Sequence, residues 1–331
     1  MSLRFTPGRA PEKEVFQVVG ETLEALLNED ERVVYLDADL MGALKTHALW
    51  KKYPQRVFNT GIQEANMVGT ACGMHLNGFK PYVHSFTAFA SRRVFDQLFV
   101  SAAYGRKSLR VIASDAGLCA THNGGTHMCF EDVAMMRTVP GACVVDVSDP
   151  VMAGAFLRLT RDRPGLTYLR MPRRGLPDIY TPDTVFEEGR GKILREGRDV
   201  TLIACGIMVA VCLEAAELLA AKGVEAQVAD MVTVKPLDKD LVLACARRTG
   251  LIVTAENASV YGGLGGAVAE CVCEELPVPV LRMGVNDEFG RVGSEGFLRE
   301  FYGLTPEHVC RRVLACLNRQ NFQPGRPAGD L

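Results

Sequence analysis

Short runs of apolar, β-branched residues recur along the chain and alternate with stretches in which apolar positions return every three or four residues. This is the pattern of parallel strands joined by crossover helices. Strands are expected over 32–36, 81–84, 109–113, 142–147 and 166–169, with helices starting near Ile62, Thr87 and Pro150. The proline-rich segment 171–183, MPRRGLPDIYTPD, interrupts the series as a linker. A second series then follows, with strands over 199–205, 224–229, 251–255 and 278–283 and helices over 208–222, 237–248, 264–275 and 306–317. The pattern predicts an α/β protein with two doubly wound, mostly parallel-sheet domains at 1–180 and 190–320 and a tail over 321–331.

Composition narrows the picture. With 48% hydrophobic and 23% charged residues the chain is an ordinary folded protein, not a disordered one. Lys and Arg number 37 against 39 Asp and Glu, so no single-sign field favours nucleic acid or an anionic membrane. The most apolar run, 202–213, contains a glycine and stops at Glu214, too short for a membrane span. The N-terminus lacks the apolar core of a secretory signal. Eleven cysteines, an odd number without a CxxC pair, read as reduced thiols, and these features together predict a cytoplasmic protein.

Several residues could carry chemistry. Glu64 opens a helix rich in small residues just after Gly61; it either complements the helix dipole or acts catalytically. Phe86 and Phe89, three apart after a strand, either stack on a flat ligand at the strand's carboxyl end or fill the core. The loop DAGLCATHNGGTHMC, 115–129, is the densest polar cluster and contains His127, a candidate for proton transfer. Its Cys119, His122, His127 and Cys129 offer metal ligands, but in a spacing that fits no usual zinc pattern. Arg170, Arg173 and Arg174, following a strand, either bind an anion or are linker charges. YGGLGGAV, 261–268, sits between a strand and a helix like a phosphate turn yet lacks the G-x-G-x-x-G spacing.

Taken in order, LDADL (36–40), FNTGIQEANMVG (58–69), SFTAFASRRVFDQ (85–97), GGTHMCFEDVAMMR (124–137), VTLIACG (200–206) and AENASVYGGLGGAV (255–268) resemble the C-terminal half of a transketolase. The closest likeness is to the separate C-terminal subunit of split transketolases. The resemblance implies a pyrimidine-binding domain followed by a transketolase C-terminal domain, and thiamine diphosphate as cofactor. It implies that Glu64 hydrogen-bonds the aminopyrimidine ring, that Phe89 with Phe86 stacks on it, and that Asp39 lies near the thiazolium. His127 matches a histidine at the substrate end, and Asp115, Asn123 and Arg170 are the expected substrate contacts.

The family's diphosphate and metal site uses a GDG motif, which occurs nowhere in this chain. The expected partner is therefore an N-terminal subunit carrying that motif, holding the diphosphate and Mg²⁺ or another divalent metal, in a heterotetramer whose single chains are inactive. Two departures bear on the sugar. His122-Asn123-Gly124 stands where the family has Glu-Asp-Gly, and Asp115 stands in place of a substrate-binding histidine, so the donor and acceptor arrangement is altered. Ala258 also replaces a family histidine. The expected function is two-carbon ketol transfer from a ketose to an aldose; the alternatives are another thiamine diphosphate-dependent carboligase or decarboxylase, and a non-catalytic regulatory or binding subunit.

Overall fold

The computed structural model describes residues 3–319, so the tail expected over 321–331 lies outside the described residues. The nine apolar runs become strands and three short ones join them: β1 Val33–Asp37, β2 Val57–Asn59, β3 Lys80–Phe86, β4 Leu109–Ser114, β5 Cys143–Asp146, β6 Leu166–Arg170, β7 Lys192–Arg195, β8 Val200–Ala204, β9 Ala226–Asp230, β10 Thr233–Lys235, β11 Ile252–Ser259 and β12 Val280–Val285. They form a seven-stranded sheet in the order β10-β5-β6-β4-β3-β1-β2 and a five-stranded sheet in the order β12-β11-β8-β9-β7. All pairings are parallel except β10 on β5 and β7 on β9. Strands β1, β4, β5, β6, β8 and β9 are buried along their whole length. Continuous burial is what helices on both faces of a parallel sheet impose, and the α/β expectation holds.

Three features add to the expected elements. The helix Val15–Glu29 buries Val15, Val19, Leu23, Leu26 and Leu27 on one face, and a capping box between Glu14 and Gln17 closes its start. The helix expected from Thr87 is broken: Thr87–Ser91 is α-helical, Arg92–Val94 forms a turn, and Gln97–Tyr104 is a π-helix. Third, the linker is packed rather than exposed, with Leu176, Ile179 and Tyr180 all buried. Asp149 fastens it: Oδ1 accepts from Met152 N and so caps the helix Pro150–Leu159, while Oδ2 accepts from the backbone N–H groups of Ile179 and Tyr180.

The first sheet is also not confined to the first series, because β10 comes from beyond residue 230 and adds an antiparallel edge to β5. Among the described residues no helix is long and apolar enough to cross a membrane. All eleven cysteines are free, and most are buried.

Candidate active site

The carboxyl ends of β1, β2, β3 and β4 and the segments that follow them gather the candidate residues, as expected for ligand sites of open α/β sheets. Glu64 is the first residue of the helix Glu64–Leu76 and is only 1% exposed. A buried carboxylate needs partners, and it has two. Ser85 Oγ donates to Oε1 at 3.0 Å, and Arg93 Nη1 donates to Oε1 and Oε2 at 3.0 and 2.9 Å. Glu64 is thus held by side chains from the next strand and from the helix break, which is more than dipole complementation requires.

Phe86 and Phe89 are half-buried, not core residues. Their ring centroids lie 6.4 Å apart, and the His127 ring stands edge-on to both, 6.3 Å from Phe86 and 5.1 Å from Phe89. Each phenylalanine also carries a guanidinium: Arg93 lies 4.0 Å from the Phe89 centroid and Arg173 lies 5.5 Å from that of Phe86. Arg93 is therefore a planar cation that contacts the Phe89 ring while hydrogen-bonded to Glu64. An aminopyrimidinium has the same charge and flat face as that guanidinium, so in the place of Arg93 the carboxylate and the aromatic surface fit the pyrimidine ring of thiamine diphosphate.

The loop after β4 holds the substrate-side candidates. His127 Nδ1 is 2.8 Å from Thr126 Oγ1, and Arg92 steadies this stretch by donating to the carbonyls of Thr126 and Met128. Asp115 has a left-handed backbone, φ 58°. Its Oδ1 accepts from Arg173 Nε at 2.7 Å, and its buried Oδ2 has no hydrogen-bond partner among the described residues. Burial pushes the Asp115 carboxyl above the usual aspartate range, with Arg173 opposing the shift. Asp39, also left-handed at φ 62°, is exposed and accepts from Asn59 Nδ2 at 2.9 Å. Asn123 is exposed, and its backbone carbonyl accepts from Thr126 Oγ1.

Arg170 does not belong with these residues. It is fully buried, Nε on Asp132 at 2.8 Å, Nη1 on Asp146 at 3.1 Å and Nη2 on the Asn257 carbonyl at 2.6 Å. Its nitrogens are committed to the protein and none reaches a surface, so the expectation that it contacts substrate is corrected. It joins the two sheets.

The glycine-rich turn 261–268 is likewise filled from within. Glu256 accepts from Leu264 N and Gly265 N at 2.8 Å each, and a Cβ on Gly263 would meet its carboxylate. The anion at that helix start is the protein's own, with its pKa raised to about 7 by burial. Cys119 is pushed up to about 12 by burial, and Cys129 Sγ contacts Ser91 Oγ. Among the described residues no three His, Cys, Asp or Glu side chains are grouped to hold a metal ion.

Arg93 escapes the sequence reading because it meets Glu64 only through the break at Arg92–Val94, which helical periodicity does not announce. Arg173, considered there as a linker or anion-binding charge, emerges as the partner of Asp115.

Comparison with known proteins identifies the family. Residues 12–178 match the transketolase pyrimidine-binding domain and residues 189–309 the transketolase C-terminal domain. A 6-deoxy-6-sulfo-D-fructose transketolase subunit from Clostridium sp. (strain MSTE9) is 46% identical over 295 residues, covering 89% of this chain and 92% of the relative. A putative transketolase C-terminal section from Methanocaldococcus jannaschii is 37% identical over 304 residues, covering 91% and 95%. Among solved structures, a split-gene transketolase in an inactive β4 tetramer superposes with a TM-score of 0.86 at 41% identity, covering 92% of this chain and 98% of that one. By these matches along nearly its whole length, the chain belongs to the transketolase family, as the C-terminal subunit of a split transketolase.

Proposed function

We propose that this subunit activates thiamine diphosphate and binds the sugar in a two-carbon ketol transfer from a ketose to an aldose. The observation that carries the reading is the buried Glu64 carboxylate beside the Phe86, Phe89 and His127 rings. When bound, the cofactor supplies the electron sink for carbon–carbon cleavage. This chain's residues act at the pyrimidine and sugar ends. Glu64 would hold a proton at a ring nitrogen of the aminopyrimidine, Phe89 and Phe86 would fix the ring plane, and Asp39 would lie on the thiazolium side. His127 faces the sugar, and Asp115, 3% exposed with Oδ1 on Arg173, orders that side of the site through Arg173. Asn123, next to them in the loop, is the neutral contact.

The partner in this reading is an N-terminal subunit carrying the GDG motif, which holds the diphosphate and Mg²⁺, and the pair assembles as a heterotetramer in the cytoplasm. The substrate is a ketose with an anionic group at its far end. The substrate in the name of the 46%-identical relative, 6-deoxy-6-sulfo-D-fructose, is of this class, as are sugar phosphates. The altered donors at Asp115 and Asn123 leave room for either.

The test is ketol transfer by this chain mixed with the GDG-containing protein encoded nearest to it, with thiamine diphosphate and Mg²⁺. Sulfonated and phosphorylated ketoses are supplied in parallel, with Glu64→Ala as control. Activity that needs both chains and Glu64 supports the proposal. Full activity of Glu64→Ala overturns the role of Glu64, and a cofactor-loaded complex that transfers nothing from any ketose replaces the enzyme with a regulatory subunit.

A further inference from the structure

A chain of four fully buried polar side chains crosses the first sheet just below the candidate site. Tyr35 Oη donates to Asp37 Oδ2 at 2.6 Å, His84 Nδ1 meets the same oxygen at 2.7 Å, and His84 Nε2 lies 3.0 Å from Ser114 Oγ. The order Asp–His–Ser is that of a hydrolase triad. A nucleophilic serine must reach its substrate, however, and Ser114 and His84 are 0% exposed, so the arrangement serves position and not attack.

What it positions follows from the sheet. His84 lies on β3, between β1 and β4, and its Cα partner on β1 is Asp37. Asp37 sits two residues before Asp39, and Ser114 directly precedes Asp115, so the two ring nitrogens reach the starts of two turns that each contain a left-handed aspartate. Left-handed, non-glycine residues persist only where their surroundings hold them. On the β1 side, Asp37 Oδ1 accepts from Leu40 N, and the His84 carbonyl accepts from Ala38 N at 3.1 Å. On the β4 side the Ser114 carbonyl accepts from Thr87 Oγ1 at 2.7 Å.

We propose that His84 is a positioning residue that sets the Asp39 turn through Nδ1 and the Asp115 turn through Nε2, so that one ring fixes the cofactor side and the substrate side relative to each other. The assignment of those two sides rests on the proposed function; the holding of the two turns does not.

Two isosteric replacements separate the two bonds. Asparagine places its amide where Nδ1 stands and is too short for Ser114; glutamine reaches toward Ser114 and gives up Asp37. Amide hydrogen exchange on the full chain alone should show His84→Asn loosening 115–119, about tenfold faster, with 37–40 unchanged, and His84→Gln doing the reverse. Ser114→Ala should behave as His84→Asn and covers the case in which that variant does not fold.

In the assembled complex, His84→Asn should raise the KM for ketose about tenfold with thiamine diphosphate half-saturation unchanged, and His84→Gln the opposite. Variants that loosen both turns equally, or neither, overturn the proposal. The exchange split without any ketol transfer removes the functional reading and leaves the two-sided positioning standing. Ketol transfer without the split does the converse.

Discussion

Glu64 shares its two oxygens between Ser85 and Arg93, and its charge is the property that matters for holding a proton on a ligand ring. Glu64→Gln keeps the shape and removes the charge, so ketol transfer by the assembled complex should fall about 100-fold or more while subunit association, followed by light scattering, is retained. Arg170 should behave oppositely. Arg170→Met leaves Asp132 and Asp146 buried without their cation and should cost about 3–5 kcal/mol in urea denaturation, with activity per folded molecule changed little. The difference between these residues was only half legible. Glu64, Phe86, Phe89 and His127 lie within short contiguous motifs, so their neighbourhood is written locally. Whether an arginine at a strand end points outward or into a carboxylate pair depends on Asp132 and Asp146, which the fold brings in from other elements.

At the scale of elements, the long strands were readable because β-branched runs buried on both faces leave little choice. The strands absent from the sequence pattern, β2, β7 and β10, have three, four and three residues and lie at sheet edges. There pairing with a neighbour, rather than composition, makes the strand. The helix Val15–Glu29 was present in the spacing of its apolar residues and in its capping box, and is the element a stricter count of periodicity would recover. The π-helix was not, since nothing in QLFVSAAY separates it from an α-helix. The linker owes its order to one residue. Asp149→Ala removes a helix cap and two backbone bonds to the linker together, and should lower stability by about 2 kcal/mol or more. The linker amides of Ile179 and Tyr180 should lose exchange protection first.

Across the whole molecule, the two sheets are tied by buried acids as well as by apolar contact. Asp230, at the end of β9, accepts from Ser148 Oγ and Tyr180 Oη at 2.6 Å each, and burial raises its carboxyl to about 7. Burial raises Asp149 to about 6 and Glu256 to about 7. A carboxyl whose pKa is higher in the folded state than in the unfolded chain binds more protons when folded. Its contribution is complete below the unfolded value and is lost as pH rises through the folded one. Thermal melts should therefore show the chain less stable at pH 8 than at pH 5.5, and Asp230→Asn should reduce that difference by about 2 kcal/mol. A melt that is flat across this range, or an unchanged Asp230→Asn profile, would refute the assignment.

The edge strand β10 carries a last consequence, for how genes of this kind can be divided. It completes the first sheet although it is encoded after three strands of the second. A gene cut anywhere over 191–232 would thus leave β5 with a bare edge and a template for aggregation. Topology therefore disfavours fission that separates the pyrimidine-binding and C-terminal domains.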